Sequence, residues 1–177
     1  SQEYDLGLRN RAADMARAQS YSKEIIRLLG SSDARSIVEF GCGTGNLLSL
    51  LKSQLKATRA VGIEASPRLA EAAAEDHAGL VIEEGFAEDF QLDVDQKFDL
   101  CLSVNVIEHA LDPTGFLVAC RQATRSDGTV LVICPDGEVP GSELLFCEHI
   151  SSISVRSLVA FAARAGLSLA HSEALEG

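Results

Sequence analysis

Apolar positions along the chain fall into short β-rich runs separated by stretches with helical spacing. Ala13, Ala16, Ala18, Tyr21, Ile25, Ile26, Leu28 and Leu29 recur at helical intervals, so residues 10–29 are predicted as a helix stopped by Gly30. SIVEF at 36–40 reads as a strand, and residues 46–54 return to helical spacing with leucines at 47, 48, 50 and 51. AVGIE at 60–64 is a second strand. Ser66-Pro67 then combines a cap residue with proline at the first helical position, and the helix it opens runs to Asp76. Residues 80–82 and 98–104 are the third and fourth strands. Asp112-Pro113 opens a helix to about Ala123. Ser126-Asp127-Gly128 is expected as a turn before a fifth strand at 130–134. Residues 135–149 read as a long loop, 155–165 as a last helix ended by Gly166, and 167–170 as a final strand.

Strands alternating with helices at this spacing imply right-handed crossovers and a parallel sheet covered on both faces. With no internal repeat or linker, residues 1–177 form one α/β domain. In such sheets ligands sit beyond the carboxyl ends of the strands, near the point where strand order reverses. Function is therefore to be sought in the loops after Phe40, Glu64, Ile82, Val104 and Cys134.

Composition narrows the classes. The 177 residues are 46% hydrophobic and 23% charged, a globular balance. The longest apolar runs, such as Leu158 to Ala163, fall far below the roughly 18 residues of a membrane span, and the first twenty residues hold no apolar signal core. A net charge of −11 speaks against bulk binding to nucleic acid or to an anionic membrane. The five cysteines form no CxxC pair, which implies reduced thiols, a cytoplasmic setting and no thiolate metal site; no metal is expected.

The first strand ends in Glu39-Phe40-Gly41-Cys42-Gly43-Thr44-Gly45-Asn46. Three alternating glycines let the backbone turn tightly and let a ligand approach it closely. Asn46 stands where a dinucleotide GxGxxG fingerprint would have its third glycine, and no Walker lysine follows. Glu64 ends the second strand, where a carboxylate can accept from both hydroxyls of a ribose. Glycine loop and strand-end acid together point to an adenosine-containing ligand.

VEFGCGTGNLL, VGIEAS, EEGFAEDF, FDLCLSVNVIEHALDP and GTVLVICPDG, in this order over about residues 36–166, resemble the class I S-adenosylmethionine-dependent methyltransferases. The likeness is greatest to small-molecule members such as ubiquinone-biosynthesis O-methyltransferases and sugar methyltransferases. It implies a Rossmann-like three-layer α/β/α sandwich, S-adenosyl-L-methionine as cofactor and a small-molecule acceptor with an oxygen nucleophile. By resemblance, Glu39, Gly41, Cys42 and Gly43 line the methionine part of the cofactor, Glu64 holds the ribose and Ala65 packs on the adenine. Where the family often has an adenine-binding Asp, this chain has Phe86, so adenine recognition rests on the Ala87 backbone and apolar contact, with Glu88 nearby. Ser103 and Asn105 approach the methionine end.

An oxygen nucleophile must lose its proton, a task suited to histidine. His109 matches the family's EH motif after the fourth strand, and His149 precedes the last helix, where such enzymes place a substrate-side histidine; these two are the catalytic candidates. Glu108 and Glu148 would orient them or bind substrate. His77 is expected on the surface and His171 in the tail. The helix with Tyr21 and residues 135–149 are the expected substrate lid, with Tyr4, Arg11 and Arg17 on a solvated face within reach of a cofactor carboxylate. The family's C-terminal hairpin is expected to be truncated, and the chain to be excised from a longer one. Two rival readings remain: a non-catalytic cofactor-binding domain, and a nicotinamide-dependent oxidoreductase.

Overall fold

In the computed structural model, which describes residues 10–30, 34–138 and 149–175, the first apolar stripe forms helix α1 (Arg11–Leu29). Asn10 caps it by accepting the amide of Ala13 at 3.2 Å, and Gly30 ends it with a φ of 59°. Strands and helices then alternate: β1 (Ser36–Phe40), α2 (Asn46–Gln54), β2 (Arg59–Glu64), α3 (Pro67–Asp76), β3 (Val81–Glu84), β4 (Phe98–Val104), α4 (Pro113–Ala123), β5 (Thr124–Ile133) and α5 (Val155–Arg164). Asp112 caps α4 through the Thr114 amide, and Ser154 and Ser157 form a reciprocal capping box on α5.

All four strand pairings are parallel, in the order β3-β2-β1-β4-β5. The central strands are apolar on both faces because both are covered. Ile37, Ala60, Leu100 and Leu102 pack against Ala18 and Ile25 of α1 and Leu47, Leu48 and Leu51 of α2. Val38, Phe40, Val61, Ile63 and Cys101 face the other way, onto Phe116, Leu117 and Cys120 of α4 and the inner side of α5. The result is the expected three-layer Rossmann-like sandwich. Strand order reverses between β1 and β4, so their carboxyl ends open a crevice there.

Two expectations need correction. Ser126-Asp127-Gly128 is not a turn before β5 but a bulge inside it: the register jumps from Phe98–Thr124 to Leu100–Thr129. Asp99 holds the bulge in place through Arg125, at 2.8 Å. The strand expected at 167–170 does not form. Leu169 is 57% exposed, and the tail is held by an Arg27–Glu173 ion pair, so it does not join the edge of β5. No helix among the described residues is long and apolar enough to cross a membrane.

Asp99 also ties β1 to β4, accepting from the Arg35 amide and from both the amide and hydroxyl of Ser36 at 2.8–2.9 Å. Burial pushes its carboxyl up, but the Ser36 and Arg35 hydrogen bonds and the Arg125 guanidinium outweigh this and hold it below its usual value. A lowered folded pKa means a contribution present above the unfolded value of about 3.9 and lost as pH falls through the folded one. Asp99→Ala is therefore expected to lower unfolding free energy by about 2–3 kcal/mol at neutral pH. Urea melts at pH 6 and pH 2.5 should show the gap to the parent chain closing in acid.

Candidate active site

The loop between β1 and α2 places Gly41, Gly43 and Gly45 at φ of 73°, 54° and 76°. At Gly41 the requirement is double, since a Cβ there would also overlap the Cγ2 of Val106. The Gly41 and Cys42 amides both donate to the Ile63 carbonyl, at 2.8 and 3.2 Å, and dock the loop on the end of β2.

Glu64 lies on that end, only 4% exposed. One carboxylate oxygen accepts the Gly43 amide at 2.8 Å and the other the Ser66 amide at 2.9 Å. The carboxylate is thereby fixed in orientation, with lone pairs left for a ligand. Glu39 lies deeper, at 2% exposure, and among the described residues its Oε2 meets no hydrogen-bond donor. Burial first, then the charges of Glu64 and Asp14, push its carboxyl well above the usual carboxylate range, against a lowering hydrogen bond from the Leu48 amide.

One open cleft runs from the glycine loop past β4 to the outer side of β5. Gly41, Gly43, Glu64, Ala65, Phe86, Ala87, Glu88 and Asn105 line it near the loop, and Glu108, His109 and His149 line it beyond β4. Phe86 is 63% exposed there, an apolar ring with no acceptor. Glu39, Cys42 and Ser103 do not reach the cleft wall. Cys42 Sγ packs over Gly62, and burial, then Glu39 and Glu64, push its thiol far up. Ser103 is buried, and its hydroxyl lacks a partner among the described residues. Asn105 sits at a φ of 54°, a conformation asparagine tolerates, and its side-chain amide donates to the Tyr21 hydroxyl at 3.1 Å.

His109 closes a short 3-10 turn, Ile107–His109, after β4, and His149 begins the described segment before α5. Their rings meet edge-on, with centroids 4.9 Å apart. The two segments are joined by the Ile150 and Ser151 amides, which both donate to the Glu108 carbonyl at 3.0 Å. The Glu108 side chain is buried beside them. Burial, then the charges of Glu108 and Asp136, push the nearby Cys134 thiol up to about 11.

Other expectations fare unevenly. Tyr21, Arg17 and its partner Asp14 line the cleft, whereas Arg11 pairs with Asp76 away from it. His77 is not a surface residue: its ring is half-buried beside Gly45. His171 pairs with Glu173. Tyr4, Cys147, Glu148 and most of the 135–149 loop lie outside the described residues. Sequence reasoning missed Asp14, whose carboxylate accepts from Thr44 Oγ1 at 2.5 Å and from the Asn46 side-chain amide at 2.8 Å. It fastens α1 to the glycine loop. The asparagine that breaks the dinucleotide fingerprint was the available signal: its side chain spends itself on α1.

A parallel sheet with a glycine loop and a strand-end carboxylate at its switch point defines a nucleotide-cofactor domain of Rossmann-like type. The methyltransferase-domain family model matches residues 12–172, and the chain belongs to that family. It is 35% identical over 102 residues to the ubiquinone biosynthesis O-methyltransferase of Cereibacter sphaeroides, a match covering 55% of this chain and 39% of that protein. The chain thus spans about two fifths of the length of that relative. Among solved structures it is similar to a SAM-dependent methyltransferase of Thermotoga maritima, described as a possible histamine N-methyltransferase. That match has 26% identity and a TM-score of 0.68, and covers 91% of this chain and 76% of the other. It is also similar to the sugar N-methyltransferase of a Streptoalloteichus species, with 25% identity and a TM-score of 0.62, covering 75% of this chain and 53% of the other. The family is one of methyltransferase domains, which implies S-adenosylmethionine as methyl donor.

Proposed function

We propose that this chain transfers a methyl group from S-adenosyl-L-methionine to an oxygen of a small acceptor seated at His109 and His149. The observation that carries the cofactor half is Glu64, buried, held by two backbone amides and turned toward the cleft beside a glycine loop that tolerates close approach. The cofactor residues fit the group: Glu64 would hold the ribose hydroxyls, Gly41 and Gly43 would let the methionine part lie against bare backbone, and Ala65, Phe86 and Ala87 would supply an apolar adenine wall. Glu39 would set a carboxylate under the cationic end. The bound cofactor supplies an already activated methyl group. What remains for the chain is to align the acceptor, exclude water and remove the O–H proton, and the second and third tasks fall to α1 and to the region of the two imidazoles.

Likeness to an O-methyltransferase supports oxygen as the acceptor atom; the sugar N-methyltransferase neighbour, and the one described as a possible histamine N-methyltransferase, support nitrogen as the second reading. Calorimetric titration with S-adenosylmethionine, S-adenosylhomocysteine and NAD tests the cofactor. Binding of the first two alone is expected, and binding of NAD alone would overturn the reading. A panel of phenol, sugar and amine acceptors with labelled cofactor, resolved by mass spectrometry, then separates oxygen from nitrogen products.

Glu39 supplies a further expectation. Its carboxyl holds its proton well above the ordinary range in the cofactor-free chain. A cation settling beside it favours the ionised form, so binding should release a proton. Calorimetry at a series of pH values from the ordinary carboxylate range upward, in two buffers of different ionisation enthalpy at each, should reveal that release where the raised carboxyl titrates, and Glu39→Gln should remove it. Equal heats in both buffers for the parent chain would place the cation elsewhere.

A further inference from the structure

Glu108, His109 and His149 can each offer one ligand atom, a carboxylate oxygen and two imidazole nitrogens, and these atoms lie within 4.8 Å of one another. They come from two segments forty positions apart that the Glu108 carbonyl locks together through the Ile150 and Ser151 amides. The donors therefore stand on backbones fixed relative to each other. All three residues line the cleft, which leaves one side of the cluster open to it.

Two imidazoles and one carboxylate with an open position form a donor set of catalytic zinc sites and of other borderline divalent ions. Magnesium and calcium prefer oxygen ligands throughout, so the histidines select against them. Ligand bonds of about 2.0–2.1 Å put tetrahedral donors about 3.3 Å apart. The gap from the present spacing is within the side-chain rotation of two half-buried rings. The cysteine spacing leads to the expectation of no metal, and that argument does not reach a histidine–carboxylate set assembled from distant segments.

We propose that Glu108, His109 and His149 bind one borderline divalent cation of the zinc type, facing the acceptor end of the cleft. The existence of the site does not depend on the methyl-transfer reading; its role does. In that role the acceptor hydroxyl takes the open coordination position, and the cation lowers its pKa so that its proton passes to solvent water. An oxygen lone pair then forms the O–CH3 bond as the S–CH3 bond breaks, its electron pair staying on sulfur as a thioether. The two imidazoles act as neutral ligands, and deprotonation at this place needs no histidine base.

The test uses the full chain, stripped with EDTA and freed of chelator, titrated with cobalt(II) alone and followed by its visible d–d absorption, with zinc as competitor. One equivalent is expected to bind and to be displaced by zinc. Since losing even an outer-shell partner costs a site about 10- to 100-fold, His149→Ala and Glu108→Gln should each weaken binding by about 100-fold or more. His171→Ala, which removes an imidazole outside the cluster, should bind as the parent does. Thermal melts check that the variants fold; should Glu108→Gln fail to, His149→Ala on its loop carries the comparison. No stoichiometric cobalt uptake, or uptake undiminished in folded His149→Ala, overturns the site. Titrating the stripped chain with S-adenosylmethionine keeps the two readings apart. Cofactor binding without cobalt binding sinks only the metal site, and cobalt binding without cofactor binding sinks only the methyltransferase reading of the cleft.

Discussion

Glu64→Ala should cost S-adenosylmethionine about 100-fold or more in affinity, because the carboxylate does two jobs at once. It accepts the Gly43 and Ser66 amides, which shapes the loops on either side of the cleft, and it presents its remaining lone pairs where a ribose would lie. Hydrogen bonds to a charged acceptor contribute about 1.5–3 kcal/mol each, so loss of two is enough for this fall. Glu64→Gln should be intermediate. It keeps one acceptor oxygen but turns an NH2 toward one of the two amides, a clash of donors. Calorimetric titration of the three proteins measures the series, and an affinity unchanged in Glu64→Ala would move the ribose away from β2. Stability should fall by less than affinity, since water can reach part of the vacated amides.

The second large effect is expected at Gly41. Alanine there must hold a left-handed φ of 73°, which costs about 1–2 kcal/mol, and its Cβ must displace the stiff side chain of Val106. Together these should destabilise the fold by about 2–4 kcal/mol and move the loop off the end of β2. Pairing Gly41→Ala with Val106→Ala separates the two causes. The smaller side chain at 106 should recover the steric part and leave the backbone part, so the double variant should melt between the parent and the single one. Recovery to the parent melting point would show that the left-handed backbone costs nothing.

Much of this molecule could be read along its chain because the central strands are apolar on both faces and the glycine loop and Glu64 follow them at fixed places. β4 begins and ends where its apolar run does, at Phe98 and Val104. β5 was misread at its start because Ser126-Asp127-Gly128 carries turn chemistry that Asp99, from the neighbouring strand, converts into a bulge. The tail at 167–170 has strand-like alternation, but no pairing holds it against the sheet. At the site, Glu39 and Glu64 were legible from their positions at strand ends. The grip of Asp14 on Thr44 and Asn46 was not, since a solvated acid in a first helical turn looks the same whether or not a loop folds onto it. Nor was the meeting of Glu108 and His149, which depends on backbone hydrogen bonds between distant segments.

The docking of α1 also bears on the order in which the molecule comes together. Asp14 waits for Thr44, thirty positions downstream, and Tyr21 for Asn105, eighty-four positions downstream. Closing loops of that length costs entropy that only the finished sheet repays. On a growing chain, α1 can rest on α2 and β1 once the first crossover has formed, but its Tyr21 contact waits until β4 brings Asn105 into place. The wall of the cleft that it provides is therefore complete only when β4 and the turn after it are in place.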